Sequence, residues 1–106
     1  MRGVGQTKNL IYTLPNERCM IITSERAAGR NVEELLKEMR GKDFAKKVKV
    51  LSISSLDDLN KMLGYSHLVF FDHSFFDTTE EEIARKALDY AESAAIVYHN
   101  QKGNFK

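Results

Sequence analysis

The stretch Cys19-Met20-Ile21-Ile22-Thr23-Ser24 decides the fold. It is short, almost wholly apolar, and shows no alternation. Such a run suits a strand covered on both faces, as in a parallel sheet. Upstream, Leu10, Ile11 and Leu14 predict a short helix with one apolar side, and Pro15 ends it near Leu14. Downstream, Asn31 reads as an N-cap with Glu34 three residues later. Val32, Leu35, Leu36 and Met39 then give one helix face before Gly41 stops it.

The same alternation continues. Val48-Lys49-Val50-Leu51-Ser52-Ile53-Ser54 reads as a second strand, and Ser55 with Asp58 as a helix start. Leu56, Leu59 and Leu63 line that helix, and Gly64 ends it. His67-Leu68-Val69-Phe70-Phe71-Asp72 reads as a buried strand closing on a carboxylate. Asp77, Thr78 and Thr79 before a glutamate run predict another helix start, with Ile83, Ala87, Leu88, Ala91 and Ala95 as its apolar face. Ala95-Ile96-Val97-Tyr98-His99 reads as a fourth strand. Helix and strand in strict turn predict a three-layer α/β/α sandwich with about four mainly parallel strands, Rossmann-like or P-loop-like. Ligands in such sheets meet the carboxyl ends of the strands, which carry Ser24, Ser54, Asp72 and His99-Asn100.

Composition narrows the class. The 106 residues fit one domain, with residues 1–8 and 101–106 expected to be flexible. The net charge of +1 gives no overall pull toward nucleic acid or anionic membrane. Arg40, Lys42, Lys46, Lys47 and Lys49 form a local basic cluster, balanced by Glu80–Glu82, so nucleic acid is not the favoured partner. Arg26 and Arg30, read as a loop after Ser24, occupy a better place for an anion. Cys19 is the single cysteine, which excludes an internal disulfide and favours a reducing, cytoplasmic location. No apolar run nears the roughly 20 residues that span a bilayer. Asp72, His73, Asp77, His67 and His99 can be drawn as a metal cluster, but adjacency and capping explain them more simply. Phe70 and Phe71 fill the two faces of their strand, whereas Phe75 and Phe76 are left on a loop as a contact patch.

The opening Gly3-Val4-Gly5-Gln6-Thr7-Lys8 gives the chain a further resemblance. With the strand ending in Thr23-Ser24 and the four apolar residues before Asp72, it resembles the P-loop NTPase core, most of all the helicase and packaging ATPases of the additional-strand class. That resemblance implies a phosphate cradle at Gly3, Gly5, Gln6, Thr7 and Lys8, with Asp72 and the Thr7 hydroxyl on Mg²⁺ and Asn100 as a polar sensor. ATP with Mg²⁺ is the cofactor it implies. It also implies a sheet with the Cys19–Ser24 strand at one edge and the Ile96–His99 strand beyond the Asp72 strand.

The pattern departs from the family in several places. Gln6 stands where the lysine should be, and His73 where the water-polarising glutamate should be. The first glycine of GxxxxGK[ST] and the strand before it have no counterpart in these residues. The expectation is therefore a degenerate module that acts by binding a protein partner or a second copy of itself, without efficient catalysis. The alternatives are a nucleotide-binding part of a DNA-processing ATPase completed by a partner, and an unrelated Rossmann-like regulator.

Overall fold

The structure, a computed structural model, describes residues 2–63 and 67–103, and of residues 2–6, 74 and 101–103 the backbone alone. The chain runs α1 (Arg2–Thr13), β1 (Cys19–Thr23), α2 (Arg26–Arg40), α3 (Lys42–Ala45) and β2 (Val48–Ser52). A 3-10 helix (Asp57–Met62), β3 (Leu68–Phe71), α4 (Ser74–Thr78) and α5 (Glu81–Gly103) follow. Residues 2–8 form part of α1 and residues 101–103 the end of α5; Met1 and residues 104–106 lie outside the described residues.

The three strands pair in parallel in the order β2-β1-β3. Cys19 lies opposite both Val48 and Leu68, and Ile22 opposite both Leu51 and Phe71. All five β1 residues are buried, as the unbroken apolar run predicts. Because side chains alternate across a strand, β1 feeds two cores. Met20 and Ile22 join Leu51, Ile53, Leu59, Met62, Phe75, Ile83, Ala87 and Ala91. Cys19 and Ile21 join Ile11, Leu14, Val32, Leu36, Phe44 and Val48. The result is an α/β protein built on a three-stranded parallel sheet.

Several expectations are corrected. Ala95–His99 is not a strand but the later part of α5. The helical period simply continues: Ile83, Ala87, Ala91, Ala94 and Tyr98 are buried, while Ile96 is 54% and Val97 46% exposed. A strand covered on both faces would have hidden both. Leu88, expected on the buried face, is exposed too. With β1 in the middle of the sheet and residues 96–99 helical, the strand order implied by the resemblance is not found.

Helix α2 starts five residues before Asn31, with Glu25 at its N-cap and no side-chain cap. Arg26 and Arg30 therefore lie in its first turns rather than in a loop. Gly29 explains how the helix sits so low over the sheet: a Cβ there would stand 3.0 Å from Ser52 Oγ. Asp58 N–H donates to Ser55 Oγ at 3.3 Å, but the element that follows is a 3-10 helix from Asp57 whose N-cap is Leu56. Gly64, its expected stop, lies outside the described residues. Asp77 sits inside α4, and the first α5 bond runs from Ala84 N–H to the Glu80 carbonyl.

The basic cluster is partly spent inside the fold. Arg40 Nη1 donates to the Ile11 carbonyl at 2.7 Å and the Tyr12 carbonyl at 3.3 Å. Its guanidinium lies 3.9 Å from the Phe44 ring centroid. It thus satisfies the last carbonyls of α1, where a cation is also favoured by the helix dipole. Lys47 Nζ donates to Asn16 Oδ1 at 2.9 Å.

Candidate functional site

The carboxyl ends of β1, β2 and β3 collect the polar residues of the fold. On α1, Thr7 continues the stripe of Leu10, Ile11 and Leu14 by one more turn, at helical spacing. That stripe faces the sheet, so it carries the Thr7 hydroxyl to the end of β3. There Thr7 Oγ1 donates to Asp72 Oδ1 at 2.8 Å, across 65 residues of chain. Both groups are buried, Thr7 5% and Asp72 4% exposed. The backbone holds the carboxylate in place: Asp72 N–H donates to the Ile22 carbonyl at 2.9 Å, and the Asp72 carbonyl accepts from Phe75 N–H at 2.9 Å. His73 Nδ1 lies 3.9 Å from Asp72 Oδ1, beyond hydrogen-bond range, and is buried with no hydrogen-bond partner.

The other residues of the expected phosphate cradle divide. Gly3 and Gly5 form part of the α1 helix, not a loop. The side chain of Gln6 lies outside the described residues. Lys8 is exposed. Asn100 is not brought to the site. Tyr98, two residues earlier, donates to Glu17 Oε1 at 2.7 Å, so this part of α5 lies at the amino end of β1. Once residues 95–99 are helical, α5 runs back along the sheet and carries Asn100 toward the opposite end of its strands. Among the described residues, no group of three or more His, Cys, Asp or Glu side chains can hold a metal ion.

The aromatic patch is half internal. Phe75 is fully buried on α4, while Phe76 is 45% exposed. Phe71, Phe75 and Phe76 pack with ring centroids 5.2 to 5.3 Å apart. A tight turn after Asp72 explains this: the Asp72–Phe75 bond folds Phe75 back under β3.

A second group of polar residues was only partly legible. Ser24, Glu25, Arg26, Ser52, Ser54, Asp58 and Lys61 line an open depression of about 410 Å³. Ser24, Glu25 and Ser54 also line an adjoining one of about 220 Å³ with Thr78, Thr79 and Glu80. Asp58 Oδ2 accepts from Ser54 N–H at 2.9 Å and Ser54 Oγ at 3.2 Å, and Lys61 Nζ lies 3.3 Å from Asp58 Oδ1. The Ser54 N–H chiefly, then Lys61, holds the Asp58 carboxyl down at about 2, against an opposing effect of burial. The serines at strand ends were visible in the sequence; Asp58 and Lys61 were missed because the 3-10 helix had no reason to point them there.

Comparison with family models, characterised proteins and solved structures gives no match for this chain. No helix among the described residues is long and apolar enough to cross a membrane.

Proposed function

We propose that this chain is a degenerate P-loop ATPase-like module, a three-layer α/β domain that binds Mg²⁺-nucleotide weakly and acts by binding a protein partner. The hydrogen bond between Thr7 and Asp72 carries this reading. The resemblance assigns the hydroxyl and the carboxylate to one Mg²⁺, and residues so far apart in sequence meet at 2.8 Å. Since Gly3 and Gly5 are helical, the phosphates would meet the first N–H groups of α1, which have no intrahelical acceptor. In this reading Asp72 and the Thr7 hydroxyl hold the cation against the phosphate oxygens. Gln6 brings no charge to offset the terminal phosphates, and His73 replaces a carboxylate, so hydrolysis is slow.

The partner reading is supported by β3. Among the described residues it has one strand neighbour, and all four of its apolar residues are only half covered. An added strand would cover them and satisfy the outer backbone groups.

Calorimetry of ATP binding with and without Mg²⁺, on protein of measured solution mass, tests the proposal. Mg²⁺-dependent binding that disappears in Asp72→Asn is the expected result. Affinity indifferent to both Mg²⁺ and Asp72 would overturn the nucleotide reading.

A further inference from the structure

We propose that the amino end of the sheet is a binding surface for single-stranded nucleic acid. This goes beyond the nucleotide reading. The surface lies at the other end of the strands from Thr7 and Asp72 and depends on neither.

Summed along the chain, Glu80–Glu82 balance the basic cluster; in the fold they do not. Residues 40–49 carry Arg40, Lys42, Lys46, Lys47 and Lys49 against one acid, Asp43. They end α2, form α3 and open β2, which places them at the amino end of the strands. Asp77, Glu80, Glu81 and Glu82 are exposed and follow β3 at its carboxyl end. There Glu80 lines a depression with Ser24 and Ser54. β1 has five residues, so the two ends stand roughly 17 Å apart. Charges in solvent are screened over about 8 Å at physiological salt. The acids therefore leave the basic end unneutralised.

The strand register adds further basic residues to this end. The Lys47 carbonyl accepts from Cys19 N–H at 3.4 Å, and the Arg18 carbonyl from Leu68 N–H at 3.1 Å. Lys47, Arg18 and His67 thus stand in a row, one before each first residue of β2, β1 and β3. Lys49 lies opposite Met20, so alternation puts it on the same face of the sheet as Arg18. Burial, then the charges of Arg18 and Lys49, pushes His67 below its usual 6.5, so both cations act on one small region. Lys47 donates to neutral Asn16 Oδ1, and Arg40 to two carbonyls, contacts that cancel no charge. Glu17 is the acid beside Arg18, and it accepts from Tyr98 at 2.7 Å.

Tyr12 points to the kind of polyanion. It is 76% exposed in the last turn of α1. Its carbonyl accepts from Arg40 Nη1 at 3.3 Å, which sets it beside the basic segment. Cations that follow a phosphate backbone, next to an exposed aromatic ring on which a base can stack, suit a single strand with unpaired bases. The acidic end of a second copy also complements the charge. Such a head-to-tail contact does not close, however, and leaves one basic end unfilled on every open assembly.

Fluorescence anisotropy of a labelled single strand of about 12 nucleotides, without Mg²⁺ or ATP, tests this. Phosphate contacts from Arg18, Lys46, Lys47 and Lys49 predict a slope of about −3 in log K against log salt. Affinity should then fall about 50-fold between roughly 50 and 200 mM salt. Lys46→Gln combined with Lys49→Gln should flatten the slope by about 1.4. Tyr12→Ala should weaken binding about tenfold and keep the slope. Glu82→Gln, at the far end, should change affinity by less than about twofold. Far-UV circular dichroism checks that each variant folds. No saturable binding at low salt, or a slope unchanged in the double lysine variant, would overturn the surface. Equal affinity for a polyglutamate peptide of matched charge would overturn nucleic acid as its partner. So would a sedimentation mass that rises with protein concentration while the strand stays unbound, which would assign the basic end to the acidic end of a second copy.

Discussion

β1 and β3 are neighbouring strands of similar character, CMIIT and LVFF, yet they live in different surroundings. Every β1 residue is buried; every β3 residue is half covered. Among the described residues, β1 has a strand on each side, whereas β3 has one. An apolar strand therefore reports that both faces meet helices, and says nothing about whether both edges are paired. The sheet is most closed in at its middle strand, and β2 and β3 flank it.

The largest effect that can break this comparison is a pair of truncations. Ile21→Ala should lose about 3 kcal/mol of stability in urea unfolding, as a fully buried core residue does. Val69→Ala should lose about 1 kcal/mol, because its side chain is half covered. Equal losses would mean that the β3 side chains are as enclosed in solution as those of β1.

Next comes the bond that joins α1 to the end of β3. Thr7→Val keeps the shape and removes the donor to buried Asp72, and should cost about 2 kcal/mol. No change in the urea midpoint would mean that this bond does not hold α1 to the sheet.

A smaller effect lies at the opposite end of β3. Burial, with the charges of Arg18 and Lys49, pushes His67 below its usual 6.5. The folded state thus prefers neutral His67, and the unfolded chain binds more protons below about pH 6.5. Stability should fall as pH drops through that window, and His67→Gln should flatten the slope. A slope unchanged in the variant would assign the effect to another group.

The smallest effect has the opposite sign. Thr79 Oγ1 is buried with no hydrogen-bond partner, so Thr79→Val should raise stability by up to about 1 kcal/mol. Loss of stability on thermal unfolding would contradict this.

Parts of the fold were legible because local rules governed them. The α1 stripe and the β1 run each follow from spacing. Residues 95–99 misled because Ile-Val-Tyr suits a strand as well as a helix. Here the preceding helix had only to continue, and Tyr98 found Glu17 at the amino end of β1. Asn31 misled because a good cap does not oblige a helix to start: α2 began where β1 ended, with Gly29 fitted against Ser52. For the site, Thr7 and Asp72 were legible as residue types, and so was Ser24 at its strand end. The depression beside Ser24 also needed Asp58 and Lys61, which no local pattern directs.

The sequence by itself determined a parallel α/β fold with a fully buried strand at Cys19–Thr23, because hydrophobic period and chain chirality leave few other arrangements. Only the tertiary structure decided which strand lies in the middle, that the last segment is helix, and that Thr7 meets Asp72 while Asn100 does not. Those are contacts between residues far apart in the chain, and they depend on how whole elements pack rather than on any local preference.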